Sequence, residues 1–139
     1  MLLKTMFAAA VLAVLFAPVA MAQEGFRSPT GNIHCQFFAE GDGGATMRCD
    51  VRQISNRPPP RPRQCDLEWG QAFEISARAT RGTRLCYGDT VQDKRLPVLG
   101  YGRNWQRGGL TCQSERTGVT CRNTRGHGFT VARAAQRVF

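Results

Sequence analysis

The chain has 139 residues, 42% of them hydrophobic, with 19 lysines and arginines against 10 acidic residues and a formal charge of +9. This length holds one small domain. The basic excess points away from cationic partners and toward anionic ones.

The first element is an export signal. Lys4 precedes an apolar run from Met6 to Ala17, Pro18 ends it, and Ala20-Met21-Ala22 supplies the small residues of a cleavage site. The run is short for a membrane span. Residues 1–22 are therefore assigned as a signal peptide, with Gln23 as the new N terminus and the periplasm or the extracellular space as destination. No cysteine follows the cleavage site, so no lipid anchor is indicated, and no second apolar run follows. Loss of Lys4 with the leader leaves 18 basic against 10 acidic residues in the domain 23–139, where Lys94 is the only lysine. Arginine favours flat, bidentate contacts with carboxylates and phosphates.

Six cysteines follow: Cys35, Cys49, Cys65, Cys86, Cys112 and Cys121. An even count in an exported chain reads as a disulfide framework; a zinc site would show close Cys-x-x-Cys pairs. Ile33, Met47, Leu110 and Val119 each stand two positions before a cysteine, the spacing of one strand face. The first hairpin takes Ile33–Phe38 and Thr46–Val51 around the turn 40–44. The last takes the segments ending at Cys112 and Cys121 around the turn 114–118. Each hairpin brings its cysteines opposite one another, which predicts Cys35 with Cys49 and Cys112 with Cys121, and leaves Cys65 for Cys86. Each bridge closes a loop worth about 2 to 4 kcal/mol in the chain-entropy account.

Between the hairpins, Arg57-Pro58-Pro59-Pro60-Arg61-Pro62-Arg63 forbids helix or central strand and reads as a stiff surface connector over 57–63. Leu67, Trp69, Phe73 and Ile75 share one parity and predict an inward strand face. Asp66, Glu68 and Glu74 take the other parity and read as a solvated face rather than an acid–base pair. Leu85–Tyr87 is a further short strand. Trp105 lies between Arg103 and Arg107, either as a core anchor or as a stacking platform for a sugar or base. Glycines around His127 imply a tight turn or a close backbone approach. Phe129 and Val131 form a strand, and the alanine-rich end, 132–137, suits one helical turn.

Only His34 and His127 offer imidazoles. Two histidines among cations could run general acid–base cleavage of a phosphodiester. His34, between Ile33 and Cys35, is expected to point away from the core. No serine has the spacing of a nucleophilic triad, and nothing indicates a metal or cofactor.

Phe26-Arg27-Ser28-Pro29-Thr30-Gly31-Asn32-Ile33-His34-Cys35 resembles the opening of a family of small exported bacterial proteins, domain-of-unknown-function family 6636. Met47 to Val51, Cys86 to Thr90, Leu110 to Cys112, Gly118 to Asn123 and Gly126 to Phe129 are similar to it as well. The resemblance implies an exported, cysteine-stapled domain and brings no catalytic residues. Thr30-Gly31 before Cys35 and Thr117-Gly118 before Cys121 echo each other, too briefly to mark a duplication.

The expected fold is all-β: a small disulfide-stapled domain of about three hairpins, as a sandwich or open barrel. The expected function is a monomeric, non-enzymatic binding module for an anionic polysaccharide, lipopolysaccharide or nucleic acid. Its candidate ligand residues are Trp105, Arg103, Arg107, Arg116, Arg122 and Arg125. The alternatives are a secreted hydrolase such as a nuclease using His34 and His127, and an inhibitor or partner-binding module for an acidic protein.

Overall fold

The computed structural model describes residues 12–16 and 24–139. The signal peptide assigned to 1–22 lies outside the described residues except for 12–16, which are exposed and without regular structure.

The protein is all-β, with ten strands and no helix among the described residues. An N-terminal sheet holds β1 (Gly25–Arg27), β2 (Ile33–Phe38), β3 (Thr46–Val51), β4 (Glu68–Ser76) and β5 (Thr83–Tyr87). A C-terminal sheet holds β6 (Asn104–Arg107), β7 (Leu110–Glu115), β8 (Gly118–Asn123), β9 (Gly128–Val131) and β10 (Gln136–Val138). Each is an antiparallel meander in simple chain order. Segment 97–99 extends the β1 edge: the Arg27 N–H donates to the Pro97 carbonyl and the Leu99 N–H to the Arg27 carbonyl.

Strand alternation explains how the layers meet. Phe26, Cys35, Met47, Cys49, Phe73 and Ile75 face inward from the first sheet; Trp105, Leu110, Cys112, Cys121, Phe129 and Val131 answer from the second. The Phe73 and Phe129 ring centroids are 6.1 Å apart across this core. Each such buried apolar side chain contributes about 1.5 to 3 kcal/mol. Disulfides join Cys35–Cys49, Cys65–Cys86 and Cys112–Cys121, nearest neighbours along the chain. The first and last link directly opposed residues, between β2 and β3 and between β7 and β8.

Two expectations are corrected. The alanine-rich C terminus forms no helical turn. Gln136–Val138 pair with Phe129–Val131, and ladder pairing overrides alanine's helix propensity. The face over 67–75 does not run unbroken. Leu67 is 53% exposed. The register shifts between Trp69 and Phe73, where Gly70 has φ 105°, a conformation that favours glycine. The bulge lets both Ala72 and Phe73 be buried. The Pro/Arg connector also does more than span a gap, because the Trp69 indole N–H donates to the Pro59 carbonyl at 2.9 Å.

His34 keeps its expected direction. It does point away from the inter-sheet core, yet it is only 3% exposed. The segment 88–97 lies over the outer face of the N-terminal sheet and covers it. Asp50 clasps that segment. Its carboxylate accepts from the Arg48 guanidinium at 2.9 and 3.1 Å, from the Thr90 hydroxyl at 3.0 Å and from the Val91 N–H at 3.0 Å. Arg48 also reaches the Asp89 carboxylate at 3.0 Å. Gln36 donates to the Val91 carbonyl.

Candidate functional site

The sheet order brings a particular set of strand ends together. The β1–β2 turn, the residues after β3, the β7–β8 turn and the β9–β10 turn all lie at one end of the sandwich. Between them opens a cleft of about 330 Å³. Its floor includes Ile33, Val119 and Ala132, and its rim carries Arg52, Arg116, Arg133, Tyr101 and a single carboxylate, Glu115.

The polar groups at the back of the cleft are occupied. Ser28 bonds to Thr30 and receives the Ile33 N–H, while the Asn32 side chain both donates to and accepts from the Gln53 backbone. The rim cations are not. Among the described residues, carboxylate ion pairs engage only Arg48 and Arg95. The Arg116 guanidinium rests over the Tyr101 ring, 4.9 Å from its centroid. That stacking fixes its plane and leaves its edge N–H groups open to an acceptor. At the same end of β7 the Ser114 hydroxyl, 1% exposed, has no hydrogen-bond partner in the protein.

The residues singled out from sequence disperse. Trp105 is 8% exposed and packs against Phe26 and Phe37, with centroids 6.2 and 5.5 Å away. It is the core anchor and presents no stacking surface. Arg107 lies over the Phe37 ring at 4.5 Å, at the end opposite the cleft. Arg125 lies near that end too, in the β8–β9 turn, and reaches the Arg78 carbonyl. Arg103 is exposed just before β6. Arg122 stands on the outer face of the C-terminal sheet over Phe139. Of the six, only Arg116 lines the cleft. Arg52, Arg133 and Tyr101 were not visible as partners in the sequence. Their signal was position, just beyond strand ends that the sheet order later juxtaposes.

The two histidines are not brought together. His34 spends both ring nitrogens on backbone: Nδ1 accepts the Asp93 N–H at 3.0 Å and Nε2 lies 2.9 Å from the Gly31 carbonyl. It lines a second cavity of about 260 Å³ with Arg52, Thr90, Gln92, Asp93 and Lys94. His127 belongs to the β8–β9 turn of the other sheet and lines neither cavity. His34 packs under the segment on the outer face of the N-terminal sheet, whereas His127 lies in a turn of the C-terminal sheet. The sulfurs of Cys35, Cys49 and Cys121 lie within 4.8 Å of one another, but all three belong to disulfides and offer no thiolate to a metal.

Electrostatic shifts cluster around the Arg48 clasp rather than the cleft. Burial pushes the Glu74 carboxyl up, against the pull of nearby Arg48. The hydrogen bond from Arg48 holds Asp89 below the usual carboxylate range. Among the described residues, no helix is long and apolar enough to cross a membrane.

These features define a small disulfide-bonded β-sandwich with an arginine-rimmed end cleft. The chain belongs to the family of unknown function DUF6636, whose sequence profile matches residues 7–139. No curated protein and no solved structure matches it.

Proposed function

We propose that the protein is a non-enzymatic binding module of the cell envelope or extracellular space, and that its end cleft holds a compact anionic group, carboxylated or phosphorylated. The observation that carries this reading is the convergence of Arg52, Arg116 and Arg133 on one cleft with, among the described residues, no carboxylate paired to any of them. Guanidiniums held without an internal partner, above an apolar floor, suit an external oxyanion. A cleft of about 330 Å³ takes a head group or a single sugar acid rather than a polymer. Export is supported by the charged, apolar, small-residue order of the leader and by three disulfides, which persist in oxidising compartments.

The test is calorimetric titration with inorganic phosphate, citrate and galacturonate at low ionic strength. Binding of at least one anion should weaken with added salt. It should fall about tenfold or more in Arg116→Gln/Arg133→Gln, the scale of lost charge-assisted contacts. Absence of binding by all three anions, or affinity unchanged in the double variant, would overturn the reading.

A further inference from the structure

The positive charge is unevenly divided between the layers. Residues 101–139 hold seven arginines and one acidic residue, Glu115, whereas 24–100 hold eleven basic against nine acidic residues. The outer faces differ as well. That of the N-terminal sheet is covered by segment 88–97, pinned through His34, Gln36, Arg48 and Asp50. On the outer face of the C-terminal sheet Asn104, Gln106, Gln113, Arg122 and Arg137 are exposed, and among the described residues no segment is bonded across them.

We infer that this bare face docks an acidic polysaccharide chain. Register builds the face. Arg122 lies opposite Gly128, and Gly128 exchanges backbone hydrogen bonds with Phe139. The glycine leaves the row open between the two larger side chains, so Arg122 reaches across it to the Phe139 ring, 5.2 Å from the centroid. Arg137 rests over the same ring at 4.7 Å. Two guanidiniums thus share one aromatic support, and among the described residues neither is ion-paired or hydrogen-bonded to protein. Both residues are exposed, and a guanidinium edge is suited to grip a carboxylate or sulfate. In the next row Thr120 and Thr130 join hydroxyls at 2.9 Å, opposite Gln113 and Arg137 respectively. The cations therefore sit in a flat field of hydroxyl and amide groups, matched to the hydroxyls of a sugar chain.

The same geometry disfavours single-stranded nucleic acid. Sequence-tolerant binding of a single strand uses aromatic rings on which bases stack. Phe139 is the only aromatic on this face among the described residues, and its ring already carries the two guanidiniums.

The experiment compares affinity for polygalacturonate, for dextran of similar length and for a thymidine oligonucleotide, in the parent protein, Arg122→Gln/Arg137→Gln and Arg116→Gln/Arg133→Gln. All substituted residues are at the surface, and retained thermal unfolding confirms the fold. Polygalacturonate should bind in a salt-sensitive manner and dextran should not. The Arg122/Arg137 variant should lose about tenfold or more in affinity, and distinctly more than the Arg116/Arg133 variant, whose cleft can engage only a chain end. Unchanged affinity in the Arg122/Arg137 variant would overturn the inference. So would loss confined to the Arg116/Arg133 variant, which would place the polymer at the cleft instead. Dextran binding as tightly, or the oligonucleotide binding more tightly with the same variant dependence, would overturn it too.

Discussion

Cys49 and Cys121 belong to different disulfides, yet their sulfurs lie 3.8 Å apart across the centre of the sandwich. The Cys35–Cys49 bridge of one sheet rests on the Cys112–Cys121 bridge of the other, all four residues fully buried. Breaking either bridge with a Cys-to-Ala pair should therefore remove both a chain constraint and a core contact, at about 2 to 4 kcal/mol. Breaking both should cost less than the sum, because their mutual contact can be lost only once. Removing Cys65–Cys86, which takes no part in that contact, should add independently. Urea unfolding of the four variants measures the coupling.

Ser114 is a defect at the cleft end of the core. Its buried hydroxyl has no protein partner, and an unpaired buried hydroxyl costs about 1 to 3 kcal/mol. Ser114→Ala should raise the unfolding temperature. A lowered one would show that the hydroxyl is satisfied in solution.

Asp50 holds the covering segment in place. Asp50→Ala leaves the buried Val91 N–H and part of the Arg48 guanidinium without acceptors, a loss of about 3 kcal/mol or more. Limited proteolysis should then cut within 88–97 faster than in the parent protein. Equal cleavage rates would mean that the other contacts suffice.

Glu74 and Asp89 flank Arg48 and should have opposite pH signatures. Folding raises the Glu74 carboxyl, chiefly through burial. Its charged form opposes folding above the folded value, and that penalty disappears as pH falls below the unfolded value. Folding lowers Asp89 through the Arg48 hydrogen bond. Its stabilisation is present above the unfolded value and is lost as pH falls through the folded one. Glu74→Gln should therefore stabilise the protein at pH 7 and Asp89→Asn should destabilise it. Both differences should vanish in acid, as read from unfolding midpoints across pH.

The strands of the first hairpin were legible because period-two apolar spacing, a glycine-rich turn and a cysteine on each arm all agreed. Gly126 and Gly128 around His127 were legible as a turn with close backbone approach: Gly126 has φ 83°, and a Cβ on Gly128 would meet the Cys121 carbonyl. What escaped depends on distant pairings. The burial of His34 requires Asp93, 59 residues away. The Gly70 bulge breaks a parity that the letters alone continue. β10 becomes a strand only because the edge of β9 is free to receive it. Of the cleft, Arg116 was visible as one basic residue near a turn, but its neighbours Arg52 and Arg133 come from turns 64 and 17 positions away in the chain. Only the order of strands in both sheets places them together.

All three disulfides stay within one layer, and the layers are connected covalently by a single passage of chain between β5 and β6. Lys94 is exposed on that passage. A lysine-specific cut there should leave the two halves associated in native buffer, held by the shared apolar core and by hydrogen bonds such as those from Asn123 to the Ser76 and Ala79 carbonyls. In denaturant, with every disulfide intact, the same nicked protein should come apart into two separate chains.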